Sequence, residues 1–285
     1  MKKCWLYGKT VIISGASGGI GFNVAKILIE KFNCTILGIA RNEKKLTDAI
    51  ATLGENSKNF IPFLFDVSKK ENWENFLIDI TSKGYTADLL INNAGFMLPF
   101  TKFENLSDSE IEEIISTNLK ANLYSIRVLL PLLKQSKTPA IINVSSAAGL
   151  CAVVGESMYC ATKFAMHGFT ESIRQEYKKQ IYVGGVYPGF IKTDILGRMD
   201  ISDKNNKLIQ KLMMPVKKAA KKIVKGIKRK RSKIVMGIDG HFMSLFSRLF
   251  PCLTPTIIAK VLKLSKLEMF ENVFDFKGEN KWKEF

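Results

Sequence analysis

Short apolar runs alternate along the chain with longer segments that repeat apolar residues at helical spacing. The runs are continuous rather than alternating, which is typical of strands buried on both faces of a sheet. Seven runs predict strands at residues 10–15, 35–40, 60–67, 88–95, 140–146, 181–189 and 233–237. The segments between them predict helices at 20–31, 43–53, 69–83, 108–137, 157–179 and 216–231. Because parallel strands need such crossovers, we predict an α/β fold: a doubly wound parallel sheet of about seven strands with helices on both faces.

The pattern also predicts the domain organisation. No linker rich in Pro, Gly or Ser interrupts it, so we predict a single domain over residues 1–240. Residues 241–270 lie outside the alternation, are rich in Phe, Leu and Ile, and contain no acidic residue before Glu268. We predict that 241–285 form an apolar and basic helical extension, packed either on the core or on a membrane. No apolar run reaches the roughly 18 residues that span a bilayer, and no signal-peptide pattern opens the chain, so any membrane contact is expected to be peripheral.

The charge is strongly positive and partly local. The net charge is +17, and residues 217–233 contain a dense run of Lys and Arg with no acid. Such a run is typical of a surface that meets lipid headgroups, nucleic acid or acidic carriers, although a solvated helix face explains it equally well. Nucleic acid is disfavoured because no recognition module or base-stacking aromatic accompanies these residues. The five cysteines form no metal-spaced set, so we expect reduced thiols and a cytoplasmic protein, with peripheral membrane contact through 217–270 left open.

A glycine-rich turn follows the first predicted strand. The stretch SGASGGIG (14–21) leads directly into the first helix. Gly15 allows a tight turn, Gly19 lets the backbone approach a phosphate, and Gly21 lets the helix pack closely on the sheet. The free N–H groups of the helix N-terminus attract an anion. The turn therefore predicts a dinucleotide site on a Rossmann-type sheet.

The end of the second strand indicates which dinucleotide. Ala40 stands where an acidic side chain would accept the ribose hydroxyls of NAD, and Arg41 follows. The charge and planar donors of an arginine suit a 2′-phosphate, so we predict that NADP(H) is preferred over NAD(H).

Two polar residues interrupt the apolar stretch MYCATKFAM. Tyr159 and Lys163 are four residues apart, so on a helix they share one face. Alone, this spacing is common in half-buried helices that present polar tips to water. The alternative is that the phenol and the ammonium act as an acid/base pair, and the spacing by itself leaves both interpretations open.

At this point the chain resembles a short-chain dehydrogenase/reductase of the YxxxK type over about residues 6–240. SGASGGIG resembles the TGxxxGxG turn of that family, with Ser14 in place of Thr, and NNAG (92–95), STNLKANL, NVSSAAG and YPGFIKTD resemble its later motifs. The resemblance implies catalytic roles for Asn118, Ser146, Tyr159 and Lys163, with Ser146 favoured over Ser145 because it stands 13 residues before the tyrosine. It implies cofactor contacts from Gly15, Ser17, Gly19, Ile20, Gly21, Arg41, Asp66, Val67, Asn93, Ala94, Gly95, Tyr159, Lys163, Pro188, Gly189 and Thr193.

The resemblance also implies a reaction. NADPH would deliver hydride to a carbonyl carbon while Tyr159 donates a proton to the oxygen, which Ser146 holds by a hydrogen bond. Lys163 would bind the nicotinamide ribose, and its ammonium together with the positive nicotinamide of the oxidised cofactor would lower the pKa of Tyr159. Asn118 would hold a water that relays the proton. No metal is required, and family habit implies a homodimer or homotetramer.

The substrate is less constrained. Apolar residues after Thr193 can line a pocket for a 3-oxoacyl chain, a steroid or a similar lipid-like ketone, or they can simply pack a lid helix. Gly155 and Glu156 can also face the substrate. The alternative function is an NADP(H)-binding regulator or sensor on the same fold, which would not need the complete catalytic set.

Overall fold

The computed structural model describes residues 4–192 and 213–274. The strands of its main sheet are β1 (Thr10–Ser14), β2 (Thr35–Ala40), β3 (Phe60–Leu64), β4 (Leu89–Asn92), β5 (Ala140–Val144), β6 (Tyr182–Pro188) and β9 (Lys233–Met236). Two short strands, β7 (Ile191–Lys192) and β8 (Met214–Pro215), pair with each other beside it.

The helices fill the predicted crossovers. In the described part of the chain they are α1 (Gly19–Phe32), α2 (Glu43–Ala51), α3 (Lys70–Ser82), α4 (Asp108–Ile115), α5 (Ala121–Leu133), α6 (Ser157–Glu176), α7 (Val216–Lys228), α8 (Ile238–Leu249) and α9 (Leu253–Ser265). Helix α4 begins at a capping box, in which the Ser107 hydroxyl accepts the Glu110 N–H and the Glu110 carboxylate accepts the Ser107 N–H. The single helix predicted over 108–137 contains a π-helical turn, Ser116–Lys120, between α4 and α5.

The main sheet is parallel throughout and has the order β3-β2-β1-β4-β5-β6-β9. The chain moves outward from β1 to β3, returns to β4, and then moves outward in the other direction. The predicted α/β fold with a doubly wound parallel sheet is therefore confirmed. In such a sheet a crevice forms at the carboxyl ends of β1 and β4, where the winding reverses, and ligands bind there.

The core lies on both faces of the sheet. In β1, Val11 and Ile13 pack on one side with α1 and α7, whereas Ile12 packs on the other side with Trp73 of α3 and Leu129 of α5. Successive strand residues point to opposite faces, so burial of both faces favours apolar residues at successive positions of the strand. This is why the strands read as continuous apolar runs.

The C-terminal elements pack beside the crevice. Helix α8 begins at Ile238, just before the predicted boundary at residue 240, and α9 packs against α8. The chain then returns to the main domain, where the Phe270 ring lies 4.7 Å from the Phe100 ring, centre to centre. Val273 is buried in the same apolar cluster. Between residues 4 and 274, outside the gap at 193–212, no helix has the length and hydropathy needed to cross a bilayer.

Candidate active site

A cavity of about 440 Å³ opens at the carboxyl ends of β1, β4, β5 and β6. Its walls come from the glycine turn after β1, from residues 93–97 after β4, from 144–148 at the end of β5, and from 188–191 after β6. Helix α6 adds Tyr159 and Lys163. The crevice expected from the strand order is thus the place where most of the predicted site residues meet.

The glycine turn is held from the next strand. The hydroxyl of Ser14 accepts the backbone N–H groups of Asn93 and Ala94, each at 3.0 Å. The side-chain amide of Asn93 donates in return to the carbonyl oxygens of Ser14 and Gly15, at 3.0 and 3.1 Å. The hydroxyl of Ser14, at the position where the family motif has threonine, therefore fixes the two loops that form the floor of the cavity.

Backbone geometry explains the glycines of this turn. Gly15 has a φ of 68°, in the left-handed region that favours glycine. A β-carbon at Gly21 would overlap the carbonyl oxygen of Gly15, so the helix could not begin as close to the turn. Gly21 supports the turn from behind and is not among the residues that line the cavity.

The residues of the turn fit the pyrophosphate of a dinucleotide. Ser17, Gly19 and Ile20 line the cavity, and a β-carbon built at Gly18 would meet nothing within 4 Å. No side chain caps the N-terminus of α1, which leaves its first N–H groups available to an anion. The cradle is therefore open on the side from which a phosphate would approach.

The far end of the cavity is basic. Arg41 lines it, as predicted, and Lys45 in the first turn of α2 lines it too. Lys45 was not among the predicted site residues, although its position one helical turn beyond Arg41 indicates a shared surface. Val67 lines the cavity, but Asp66 is not among the lining residues, and its carboxylate accepts the backbone N–H of Ser68 at 3.0 Å.

A buried polar chain fixes the ends of the central strands. Asn92 donates to the side-chain oxygen of Asn143 at 3.0 Å and accepts from the hydroxyl of Ser125 at 2.7 Å. Asn143 donates in turn to the Thr170 hydroxyl on α6 at 2.9 Å. Buried amides with satisfied hydrogen bonds rigidify the layer they cross. Residues Asn93, Ala94 and Gly95, which continue from β4, line the cavity.

Tyr159 and Lys163 lie one turn apart on α6, and both are almost fully buried. The Lys163 ammonium is 5.4 Å from the centre of the Tyr159 ring and donates to the carbonyl oxygen of Val144 at 3.4 Å. Burial lowers the pKa of Lys163 to about 8. Burial also raises the pKa of Tyr159, and the hydrogen bond with Ser146 opposes this only in part. In the protein alone, desolvation of the phenolate is the larger effect, and the lowering expected from Lys163 and the oxidised nicotinamide together stays a prediction.

The two candidate serines have different surroundings. Ser145 is buried, and its hydroxyl donates to the carbonyl oxygen of Lys163 at 2.9 Å, which fixes the middle of α6. The hydroxyl of Ser146 accepts the Ala148 N–H at 3.1 Å and also hydrogen-bonds Tyr159. Both residues line the cavity, but only the Ser146 hydroxyl is joined to the phenol.

Asn118 lies in the π-helical turn and is fully buried. Its side-chain oxygen accepts the Phe96 N–H, and its amide donates to the Phe96 carbonyl oxygen, each at 2.9 Å. The Asn118 carbonyl oxygen accepts the side-chain amide of Asn122 at 2.6 Å. Asn118 is not among the cavity-lining residues, and its side chain holds the loop after β4 in place.

Two acidic residues line the cavity wall: Glu156, which was predicted to be able to face the substrate, and Asp239, which was not identified from the sequence. Glu156 is buried, and its Oε1 atom has no hydrogen-bond partner among the described residues. Burial raises the pKa of this carboxyl to about 8. Asp239, in the first turn of α8, accepts the backbone N–H of Phe190 at 2.6 Å and thereby joins α8 to the turn after β6. The sequence signal for Asp239 was weak, because it is a single acid after a predicted strand.

The turn after β6 is described in part. Pro188 and Gly189 line the cavity. Thr193, the remaining predicted cofactor contact, and the apolar residues 195–212 lie outside the described residues. Met213 is buried with Phe100 and Phe270. Over 4–192 and 213–274, no group of three or more His, Cys, Asp or Glu side chains is arranged to hold a metal ion.

Known proteins share this sequence pattern and fold. The model of a family described as short chain dehydrogenase matches residues 9–204. A 3-oxoacyl-[acyl-carrier-protein] reductase of Rickettsia typhi is 33% identical over 207 residues, which are 72% of this chain and 81% of the relative.

Solved structures share the fold at lower identity. A short-chain dehydrogenase/reductase of Burkholderia phymatum in complex with NAD has a TM-score of 0.72 at 20% identity, covering 82% of this chain and 90% of that one. A short-chain dehydrogenase of Shigella flexneri complexed with NADP has a TM-score of 0.67 at 24% identity, covering 75% and 88%. One of these structures holds NAD and the other NADP.

Proposed function

The chain belongs to the short-chain dehydrogenase family and is an oxidoreductase of carbonyl and alcohol groups, and from this premise we propose that it uses NADP(H) to reduce an apolar or lipid-like ketone. The observation that carries the proposal is that the buried Tyr159 phenol and the glycine turn line one cavity. A cofactor at the turn and a proton donor at the phenol can then act on the same bound carbonyl group.

Tyr159 is the proposed proton donor. Bound NADPH supplies the hydride that adds to the carbonyl carbon. The phenol transfers its proton to the carbonyl oxygen, and burial, which raises the pKa of Tyr159, keeps the phenol protonated beforehand. Ser146 donates a hydrogen bond to the same oxygen and stabilises the negative charge that develops on it.

Lys163 and Asn118 support this transfer. An ammonium beside Tyr159 favours the phenolate that remains after the proton has left, and with a pKa of about 8 Lys163 is largely charged at neutral pH. Lys163 also binds the ribose hydroxyls of the nicotinamide half. The Asn118 carbonyl oxygen has a second lone pair beside the one that Asn122 uses, and we assign it to a water that returns a proton to the site.

The preference for NADP(H) rests on the basic end of the cavity. Arg41 and Lys45 both line the place where the 2′-phosphate of the adenosine ribose would bind, and Ala40 leaves no acid there to repel it. Two cations at one end favour the phosphorylated cofactor over NAD(H).

The substrate class rests on the walls around Tyr159. Met97, Phe100, Val153, Phe190 and Met243 are among the residues that line the cavity, and all five are apolar. Relatives such as the Rickettsia enzyme are named for the reduction of 3-oxoacyl groups on acyl carrier protein, so a 3-oxoacyl thioester is our first candidate, with steroids and similar ketones next.

We also propose that the chain forms a homodimer or a homotetramer, as is usual in the family. Light scattering measures the oligomeric state.

The test is a screen of NADPH consumption with the purified full chain over 3-oxoacyl thioesters, steroids, sugars and small aldehydes. NADH in parallel measures the cofactor preference, and Tyr159→Phe is the matched inactive control. We expect turnover with at least one apolar ketone, faster with NADPH than with NADH. Tight NADPH binding without turnover of any carbonyl compound would instead favour a regulator or sensor on this fold.

A further inference from the structure

Helix α8 exposes an apolar stripe on the side that faces away from the protein. Phe242, Leu245, Phe246 and Leu249 stand at positions i, i+3, i+4 and i+7, which form one face of a helix, and all four are exposed. The other side of the helix is already packed: Met243 is buried, and Ser247 donates to the Leu150 carbonyl oxygen at 2.8 Å.

Helix α9 repeats this arrangement. Leu253, Ile257, Val261 and Leu264 are exposed along one side, whereas Thr254 is buried against the protein. We call these four residues and the four of α8 the outer apolar face. The exposed fraction of its members runs from 37% to 79%. Surface helices of water-soluble proteins normally carry polar residues on this side, and such a concentration of exposed apolar side chains marks an interaction site.

Between Gly240 and Leu267 the charges beside the outer apolar face have one sign. Residues 240–267 contain Arg248, Lys260, Lys263 and Lys266 and no acidic residue. Arg248, Lys260 and Lys266 are exposed. Two copies of the chain that met through this face would bring like charges together, whereas an anionic partner would neutralise them.

We propose that the outer apolar face docks on an anionic lipid membrane, with α8 and α9 lying in the plane of the headgroups. Apolar side chains would enter the boundary of the acyl chains while Arg248 and Lys260 meet lipid phosphates. The contact is peripheral, since no described helix can span a bilayer. The lysines of α7 are a separate basic surface, because that helix packs along α1. The proposal does not depend on the reaction that the enzyme catalyses.

Sedimentation of the full chain with vesicles tests the apolar part. We expect binding to phosphatidylglycerol/phosphatidylcholine vesicles at low salt and much weaker binding to pure phosphatidylcholine. Leu245→Ser combined with Leu249→Ser should lower the partition coefficient by at least about tenfold. Ile78→Ser is the matched control, because Ile78 is an exposed apolar residue on α3, and it should bind like the wild type.

A pair of charge reversals tests which basic surface binds. Arg248→Glu with Lys260→Glu should lower binding to anionic vesicles by at least about tenfold. Lys221→Glu with Lys222→Glu makes the same charge change on two exposed lysines of α7 and should have a much smaller effect. The opposite ranking would overturn the proposal, because binding would then belong to α7.

A probe at Cys252 tests the location directly. This cysteine is exposed between α8 and α9. An environment-sensitive fluorophore on it, with Cys4 replaced by serine, should shift to the blue on addition of anionic vesicles. The same fluorophore on Ile78→Cys, with Cys4 and Cys252 replaced, should not shift.

Three results would contradict the proposal. The first is that no vesicle binds the full chain at low salt, which would mean that another part of the chain or a protein covers the face. The second is an oligomer that dissociates in the Leu245→Ser, Leu249→Ser variant without any change in vesicle binding, which would assign the face to a second copy. The third is equal shifts of the two fluorophores, which would mean unspecific adsorption.

Discussion

Gly149 lies so close to the carbonyl group of Lys163 that a β-carbon at position 149 would come within 2.5 Å of its oxygen. The same β-carbon would lie 2.6 Å from the hydroxyl of Ser145, which donates to that carbonyl group. The turn after β5 therefore sets the distance between α6 and the sheet and, with it, the position of the Lys163 ammonium. Gly149 closes the NVSSAAG motif but was assigned no role there, and its missing side chain is what lets α6 approach the sheet.

The first prediction concerns this contact. Gly149→Ala should push α6 away from β5 and lower kcat about tenfold to a hundredfold, because displacements of about 1 Å in an active site have effects of that size. Gly168→Ala is the matched control, since a β-carbon at this exposed position of α6 meets nothing within 4 Å. It should keep full activity and raise the free energy of unfolding by up to about 1 kcal/mol. Unchanged kcat in Gly149→Ala would contradict the positioning role.

The second prediction concerns the proton donor. Tyr159→Phe should lower kcat for carbonyl reduction by about 10² to 10⁴, the usual contribution of a general acid, and leave the Kd for NADPH unchanged. Tyr187→Phe serves as the control, because Tyr187 is also buried but bonds to His167 at 2.7 Å. Near-normal reduction by Tyr159→Phe, with cofactor binding intact, would remove Tyr159 from the mechanism.

The third prediction concerns the buried ammonium. The pKa of Lys163 is lowered from 10.5 to about 8, so between these values the folded protein binds fewer protons than the unfolded chain. The free energy of unfolding should therefore rise with pH from about 8 to 10.5 in the cofactor-free protein, and at neutral pH the buried charge is destabilising. Lys163→Met should remove this pH dependence, raise stability at pH 7 by about 3 kcal/mol and abolish reduction. Denaturant titrations at pH 7 and pH 10 measure the free energy of unfolding of both proteins. If Lys163→Met kept the pH dependence of the wild type, the prediction would be wrong.

The fourth prediction concerns Glu156. Its pKa is raised from 4.5 to about 8 by burial, so its contribution to stability is fully present below pH 4.5 and is lost as pH rises towards 8. The stability of Glu156→Gln relative to the wild type should increase over this window by about 1.4 kcal/mol per pH unit at most. Glu113→Gln, at an exposed position of α4, should show no such trend. Thermal unfolding at several pH values checks it, and parallel curves for the wild type and Glu156→Gln would refute it.

The fifth prediction concerns cofactor choice. Arg41→Ala and Lys45→Ala should each raise the Kd for NADPH by about tenfold and leave the Kd for NADH almost unchanged, because a charge-assisted hydrogen bond to the 2′-phosphate contributes about 1.5 to 3 kcal/mol. Lys44→Ala removes a neighbouring lysine that does not line the cavity and should change neither constant. Equal losses for the two cofactors would mean that these cations do not read the 2′-phosphate.

Much of the fold could be predicted because a sheet buried on both faces requires apolar residues in short, consecutive stretches of the sequence. Runs such as TVIIS in β1 and AIINV in β5 are apolar at their central positions, and the glycine at position 15 indicates a tight turn, which its φ of 68° agrees with. The motifs likewise mark the loops that meet at the carboxyl ends of the strands. Each of these signals lies within about ten consecutive residues.

The rest depends on contacts that the sequence does not record. The carboxylate of Asp239 meets the N–H of Phe190 across 49 residues of chain. The direction of the Tyr159 pKa shift is decided by burial, which the spacing of Tyr159 and Lys163 does not reveal. The apolar residues of α8 were consistent with packing on the core or on a membrane, and only the fold decides which side of that helix meets solvent.

Helix α8 contacts the cavity on one side and exposes its apolar stripe on the other, and this arrangement can couple the two. Asp239 and Met243 form part of the cavity wall, and the stripe on the opposite side of the same helix is the one proposed to dock. If docking alters the balance between two positions of α8, thermodynamic reciprocity requires that ligand in the cavity alter attachment by the same factor. A titration of vesicle binding with and without NADPH would then measure the coupling free energy between the cavity and the proposed membrane-binding face.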